Sequence, residues 1–93
     1  MKIQDILTDE SKWTKGWNAR NKKGAMVQEN ARNASRFCLY GAVWRTVHLD
    51  PNYDFNRALD KIRAKIGRDI FKWNDNPRRK FKSVRALIEE LDI

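Results

Sequence analysis

Apolar and basic residues alternate at helical spacing along residues 54–73, and this pattern constrains the fold more than any other part of the sequence. The apolar positions recur every three or four residues, as on one face of an α-helix: Phe55, Ala58, Leu59, Ile62, Ile66, Ile70 and Trp73. Five cations, here called the basic stripe, fall in a narrow band on another face: Arg57, Lys61, Lys65, Arg68 and Lys72. The pattern predicts an amphipathic helix that buries one face and offers a cationic one to solvent.

Two features of this helix bear on function. Like charges four residues apart repel each other, so a chain that keeps the basic stripe is a candidate for meeting something anionic, although solvated helix faces often look similar. Gly67 lies inside the stretch and costs about 1 kcal/mol relative to Ala, which predicts a kink or a break. A break would move Arg68 and Lys72 out of the register of the stripe.

The length of 93 residues predicts one small domain, residues 1–93. We expect a mainly α fold, a compact bundle of four or five short helices, with further helices near residues 2–11, near 29–49 and after Pro77. The turn signal Asn21-Lys22-Lys23-Gly24 leaves room for one small β-hairpin near residues 17–28. A homo-oligomer stays open, because self-association would stabilise a domain of this size.

Smaller signals refine the helices. Small residues share one face of the predicted 29–49 helix and would let another element approach closely: Ala31, Ala34, Ser35, Cys38, Gly41 and Ala42. The second half of that helix, including Trp44, is apolar nearly all round, which indicates burial. Asp54 or Asp50 is expected to cap the following helix, and Ser83 the last one.

The charge balance narrows the class of partner. The chain carries 20 Lys and Arg against 12 Asp and Glu, a net charge of +8, with the cations concentrated in residues 12–45 and 57–85. This clustering favours a phosphate-bearing partner or an acidic protein surface. The single cysteine excludes an intramolecular disulfide and fits a reducing cytoplasm. With no spanning segment in the sequence, we expect a cytoplasmic protein without a membrane partner.

Three short motifs lie in order along the chain: Trp13-Thr14-Lys15-Gly16, Cys38-Leu39-Tyr40-Gly41-Ala42 and Trp73-Asn74-Asp75-Asn76-Pro77. With these motifs the chain resembles a family of small proteins from bacteria and their phages, domain of unknown function 6197. That family often has Thr and Glu after the proline, where this chain has Lys80 and Ser83. The resemblance implies a compact, mainly helical domain and admits a phage origin, which would place the protein in the host cytosol. It brings no established activity.

Nothing in the sequence has the spacing of a catalytic or metal site. His48 is expected near a helix C-terminus, where it suits a cap or dipole partner better than a general base. The position of Cys38 among the small residues on one helix face indicates a buried structural thiol. Asp75 is the best carboxylate candidate, but Asn and Asp after a helix commonly form side-chain turns. We therefore expect a protein that is not an enzyme and needs no cofactor or metal.

The motifs do contain groups suited to binding. Trp13 to Gly16 combine a flat ring, a hydroxyl, a charge and bare backbone, which could stack a base and grip a phosphate; the alternative is that Trp13 belongs to the core. Asn74 and Asp75 could contact the polar edge of a nucleobase or ribose. The predicted ligand-binding residues are Trp13, Thr14, Lys15, Gly16, Arg36, Lys72, Trp73, Asn74, Asp75, Arg78, Arg79 and Lys80, with Arg57, Lys61, Lys65 and Arg68 as a secondary basic stripe.

These observations favour a non-catalytic binding protein for a nucleotide or another phosphate-bearing ligand. A phage setting would suit a counter-defence protein that sequesters a nucleotide signal. Two alternatives stay open. One is a nucleic-acid-binding protein of low sequence specificity, because a stripe of Arg and Lys suits phosphates better than base edges. The other is a basic interaction module that inhibits an acidic host protein.

Overall fold

Four α-helices and a three-stranded antiparallel sheet build the protein in a computed structural model that describes all of residues 1–93. The helices are α1 (Leu39–Leu49), α2 (Phe55–Ile66), α3 (Ile70–Asp75) and α4 (Phe81–Leu91), and the strands are β1 (Ala19–Arg20), β2 (Met26–Val27) and β3 (Arg36–Phe37). The predicted mainly α bundle with a small hairpin is confirmed. The radius of gyration of 12.0 Å is that of a compact chain of this length.

The core is formed by 16 buried apolar side chains drawn from all four helices, the sheet and the first residues of the chain. α2 contributes Ala58, Leu59 and Ile62, as its apolar periodicity predicted. Asp54 caps α2 by accepting a 3.0 Å hydrogen bond from the Arg57 amide, so of the two predicted caps Asp54 is the one used. The expected burial of the whole second half of α1 is wrong at Trp44, which is 38% exposed.

Residues 2–11 do not form the single helix that their apolar spacing predicted. They form two 3₁₀ helices, Ile3–Asp5 and Glu10–Lys12. The Asp9 carboxylate accepts a hydrogen bond from the Ser11 amide at 2.9 Å, and this local bond starts a new turn instead of continuing the first. The segment is tied down by the Ile3 amide, which donates to the Ile93 carbonyl at 2.8 Å and joins the two ends of the chain.

The sheet has the order β2-β1-β3, with Ala19 paired to Val27 on one side and to Phe37 on the other. The hairpin near residues 17–28 is therefore confirmed, but β3 was not expected. The predicted 29–49 helix begins only at Leu39, because residues 28–34 form turns and the Ser35 amide donates to the Arg20 carbonyl at 2.9 Å. Arg36 consequently lies on a strand and not at the start of a helix.

The small residues of α1 serve the close approach that the sequence predicted. A Cβ added to Gly41 would lie 2.0 Å from the carbonyl oxygen of Asn18 and 2.7 Å from its carbonyl carbon. The same carbonyl accepts a 3.1 Å hydrogen bond from the Cys38 amide. The first turn of α1 thus packs directly on the backbone that leads into β1.

Gly67 breaks the 54–73 helix. It ends α2 with φ = +95°, a conformation that glycine adopts without the steric penalty of a Cβ, and Asp69 caps the new helix α3. Arg68 lies between the helices and Lys72 lies in α3, so both leave the register of the basic stripe. Ser83 is not a cap: α4 begins two residues earlier, at Phe81, whose ring is buried in the core.

Candidate functional site

The first and last motifs meet in space. We call residues 13–16, residues 73–77 and the four cations that flank the latter, Lys72, Arg78, Arg79 and Lys80, the motif junction. The Lys15 ammonium donates to the Asn76 carbonyl at 2.8 Å. The Gly16 amide donates to Asp75 Oδ1 at 3.0 Å. The two segments that were predicted to share a ligand are therefore adjacent, and their polar groups bind each other.

Asn74 connects all three motifs through one fully buried amide. Its Oδ1 accepts hydrogen bonds from Trp13 Nε1 at 2.8 Å and from the Leu39 amide at 3.0 Å. Its Nδ2 donates to the Thr14 carbonyl at 3.1 Å and to Asp75 Oδ1 at 2.9 Å. Two acceptor positions and two donor hydrogens are the full capacity of an amide side chain. Contact between Asn74 and a nucleobase would require these internal bonds to break.

The cations of the motif junction divide into two groups. Arg79 is engaged: its guanidinium carbon lies 3.8 Å from the centre of the Trp73 ring, and its Nε donates to the Trp73 carbonyl at 3.0 Å. Lys72, Arg78 and Lys80 are exposed and lie within ion-pair distance of no carboxylate. These three remain accessible to an anion.

Arg36 lies on β3 and approaches the motif junction only through its cross-strand partner. It pairs across the sheet with Arg20, whose guanidinium donates to the Lys15 carbonyl at 3.3 Å and to the Gly24 carbonyl at 3.0 Å. Side chains directly opposite in an antiparallel pair share a face of the sheet. Arg36 is thus an exposed cation beside an internally bonded arginine.

Two cations of the basic stripe, Lys61 and Lys65, already contact residues of α4. Lys61 donates to the Leu91 carbonyl at 3.1 Å, and Lys65 lies 2.9 Å from a carboxylate oxygen of Glu90. Arg57 has no such partner. With Arg68 and Lys72 displaced by the break at Gly67, the stripe does not form a continuous cationic surface.

A cationic cleft that the sequence did not reveal lies where the β1–β2 turn faces the turn before β3. We call it the hairpin cleft; it has a volume of about 540 Å³ and is lined by Asn21, Lys22, Lys23, Arg32, Asn33, Ala34 and Ser35. Its walls are held together by the backbone hydrogen bond from Ser35 to Arg20. Asn21 Oδ1 fixes the turn by accepting from the amides of Lys23 and Ala25. No carboxylate lines the cleft.

The signal for this cleft was present in the sequence but was assigned to other roles. Lys22 and Lys23 were assigned only to a turn, and Arg32 falls within the helix predicted near residues 29–49. The cleft forms because β3 pairs with β1. This pairing joins residues far apart in the sequence, and local hydrophobic periodicity does not predict it.

The thiol and the carboxylate that the sequence singled out, Cys38 and Asp75, are buried or already hydrogen-bonded. Cys38 caps α1, its Sγ accepts a 3.3 Å hydrogen bond from the Gly41 amide, and burial raises the pKa of the thiol to about 11. The expectation of a buried thiol is confirmed.

No three His, Cys, Asp or Glu side chains lie close enough to bind one metal ion. No helix is long and apolar enough to span a bilayer.

Stability is expected to fall at alkaline pH because the buried thiol of Cys38 and the half-buried phenol of Tyr53 resist ionisation. The folded state holds the Cys38 pKa near 11 against an ordinary 9.0, and burial raises the Tyr53 pKa to about 12 from 10.0. The unfolded chain releases these protons first, so folding stability is intact below pH 9 and declines as pH rises from 9 to 12. Urea midpoints measured between pH 7 and 12 test this, and Cys38→Ala should remove the part of the decline between pH 9 and 11. An unchanged pH profile in Cys38→Ala would contradict it.

Sequence comparison places the chain in a family. Residues 2–91 match a family of unknown function (DUF6197), and the chain belongs to that family. The predicted resemblance to this family is thereby confirmed. No curated protein and no solved structure matches the chain.

Proposed function

We propose that this chain is a small non-catalytic protein that binds a nucleotide or another phosphate-bearing ligand, with the hairpin cleft as the principal site. The observation that carries the proposal is the convergence of Lys22, Lys23 and Arg32 on one cleft without a neutralising carboxylate. Clustered cations raise the local electrostatic potential, and binding of a negatively charged phosphate group lowers it.

The shape of the cleft suits a ligand of nucleotide size. Its volume of about 540 Å³ falls within the range of about 300–1,000 Å³ typical of small-molecule sites. Lys22 and Lys23 belong to one wall and Arg32 to the other, so a phosphate between them would be contacted from two sides. Asn33 and Ser35 add polar groups for the rest of the ligand.

The motif junction keeps a secondary place in this proposal. Its exposed cations Lys72, Arg78 and Lys80 are the members that support a role in binding an anion. Trp13 and Asn74 support the fold instead, because their polar atoms bond to each other. We therefore expect substitutions of these two residues to act on stability first.

A cytosolic phage protein that sequesters a nucleotide signal without converting it is the biological role we propose for such a site. Binding without turnover fits a chain whose only thiol is buried and whose Asp75 carboxylate is engaged by Gly16 and Asn74. Nucleic-acid binding of low specificity remains the second candidate. It is favoured by one observation: only three of the 20 Lys and Arg side chains lie within ion-pair distance of a carboxylate.

Titration calorimetry with inorganic phosphate, linear and cyclic mononucleotides and short oligonucleotides tests the principal site. Arg32→Gln and Lys22→Gln should each weaken binding of the tightest ligand by about 10-fold or more, because each removes a charge-assisted hydrogen bond. Arg57→Gln and Lys82→Gln remove the same charges outside the cleft and should change the affinity less than about 2-fold.

Two outcomes would argue against the hairpin cleft. No binding of any ligand at micromolar concentrations would remove the sequestration role. Equal losses in cleft and control variants would show that only the net charge matters. Affinity that grows with oligonucleotide length and falls steeply with salt would favour the nucleic-acid candidate. Partners that survive nuclease treatment of a host lysate would instead favour an acidic protein.

A further inference from the structure

Four aromatic rings from three helices form one partly exposed surface, which we call the aromatic surface: Tyr40, Trp44, Phe55 and Phe71. The Tyr40 and Phe71 rings have centres 4.9 Å apart, and the Trp44 and Phe55 rings 4.4 Å apart. Tyr40 also packs edge-on against both Trp44 and Phe55. Trp44 is 38% and Phe71 42% exposed, so large apolar rings face solvent in a fixed arrangement.

Cations border this surface. Arg63 and Arg68 line a cleft of about 300 Å³ together with Tyr40, Asp69, Ile70 and Phe71. Neither guanidinium lies within ion-pair distance of a carboxylate. The Asp69 carboxylate caps α3 by accepting from the Lys72 amide at 2.8 Å, so it faces the helix N-terminus. The border of the aromatic surface is therefore positively charged.

The break at Gly67 creates this arrangement. A continuous helix would have kept Arg68 in the basic stripe, on a face away from the apolar residues. Because α2 ends at Ile66 and α3 starts anew at Ile70, Arg68 instead lines the same cleft as Arg63 and Phe71. Arg68, which leaves the stripe, thus lines a cleft together with Tyr40 and Phe71.

We propose that the aromatic surface binds single-stranded nucleic acid, with unpaired bases stacked on Trp44 and Phe71 and with Arg63 and Arg68 contacting the flanking phosphates. Stacking rings beside a cationic border are the combination that proteins use for single strands without sequence preference. Each nucleotide supplies one flat base and one negative charge, which matches exposed rings with two arginines at their border. This proposal rests on the nucleic-acid-binding candidate of the proposed function, to which it gives a site, and not on the hairpin cleft, with which the aromatic surface shares no residue.

A protein partner fits the surface less well. A stable protein interface covers about 800 Å² on each side, and would have to extend from the two exposed rings over Arg63 and Arg68. Such a partner would need aromatic or apolar groups in the centre and carboxylates at matching positions around them. A single strand supplies both kinds of group in every nucleotide: a flat base for the exposed rings and a negatively charged phosphate for the arginines.

Fluorescence anisotropy with a labelled 12-nucleotide oligothymidylate at low salt tests the proposal. Trp44→Ala and Phe71→Ala should each weaken binding by about 5-fold to 100-fold, because base stacking on an aromatic ring contributes that much. Their salt dependence should stay that of the unaltered protein. Arg63→Gln and Arg68→Gln should weaken binding and also lower the slope of log affinity against log salt by about one each.

Trp17→Ala is the matched control, since Trp17 is 45% exposed and lies outside the aromatic surface; its affinity should be unchanged. Phe71→Leu keeps the apolar volume without the flat ring and should still lose affinity, which separates stacking from a loss of folding. Three results would overturn the proposal. They are equal affinity in Trp44→Ala and the unaltered protein, equal binding of duplex DNA with the same dependence on Trp44, and binding of polyglutamate that Phe71→Ala abolishes. A dimer that Phe71→Ala dissociates would likewise assign the surface to a second copy of the chain.

Discussion

Replacing Asn74 by Ala is expected to lower the free energy of unfolding by about 3–5 kcal/mol. The substitution leaves the Trp13 indole N–H and the Leu39 amide without their acceptor. Each buried donor left unpaired costs about 1–3 kcal/mol, and the cavity adds to this. Small domains have about 5–15 kcal/mol of stability in total, so the variant should be close to unfolding at room temperature.

Urea denaturation followed by Trp fluorescence measures this effect. Asn56→Ala is the control, because Asn56 is exposed on α2 and makes no side-chain hydrogen bond; the change should be neutral or slightly stabilising. A loss below about 1 kcal/mol in Asn74→Ala would mean that water replaces the amide, and that the three motifs are not held together by this side chain.

The hydrogen-bond partners of Asn74 could not be predicted from the sequence. Its position in a motif singled it out, and its polarity pointed to a ligand. Its actual partners lie in the two other motifs, 61 and 35 residues earlier in the chain. A single buried amide has no periodicity, so its partners depend on how distant segments pack. The one available clue was that a Trp and an Asn, both able to hydrogen-bond when buried, occupied different motifs of one family pattern.

Short-range sequence patterns correctly predicted those elements that are stabilised by residues close to them in the sequence. The face of α2, the cap at Asp54 and the hairpin turn depend on neighbours within a few residues. The start of α1 does not. Residues 29–35 have alanine at helical spacing, but β3 pairs with β1, and the Ser35 and Cys38 amides donate to the Arg20 and Asn18 carbonyls instead of to carbonyls of a helical turn. This non-local pairing moved Arg36 to a strand and brought Arg32 to the hairpin cleft.

The two proposed sites were missed for related physical reasons. The hairpin cleft needs β3, and the aromatic surface needs the break at Gly67. Sequence analysis anticipated the break but followed only its effect on the stripe. Trp44 was assigned to the core because α1 is apolar on most sides, whereas helix packing covers only part of a helix and leaves some large rings at its border.

Replacing Gly41 by Ala is expected to lower the free energy of unfolding by about 2–3 kcal/mol, although Ala favours helices by about 1 kcal/mol over Gly. The new methyl group would lie 2.0 Å from the Asn18 carbonyl oxygen, which belongs to the backbone and cannot rotate away. Relief requires α1 to move from the strand segment, which stretches the hydrogen bond from the Cys38 amide to Asn18. Amide hydrogen exchange at Cys38 should therefore accelerate together with the loss of stability.

Gly67→Ala is the control that separates crowding from backbone strain. A Cβ at Gly67 meets nothing within 4 Å, so this variant has only the backbone strain of alanine at φ = +95° and ψ = −178°, a region almost restricted to glycine, at a cost of about 1–3 kcal/mol. Exchange at Cys38 should follow global stability in Gly67→Ala and should rise beyond it in Gly41→Ala. If Gly41→Ala were instead more stable than the unaltered protein, helix propensity would outweigh crowding, and the close contact between α1 and the segment before β1 would not be present in solution.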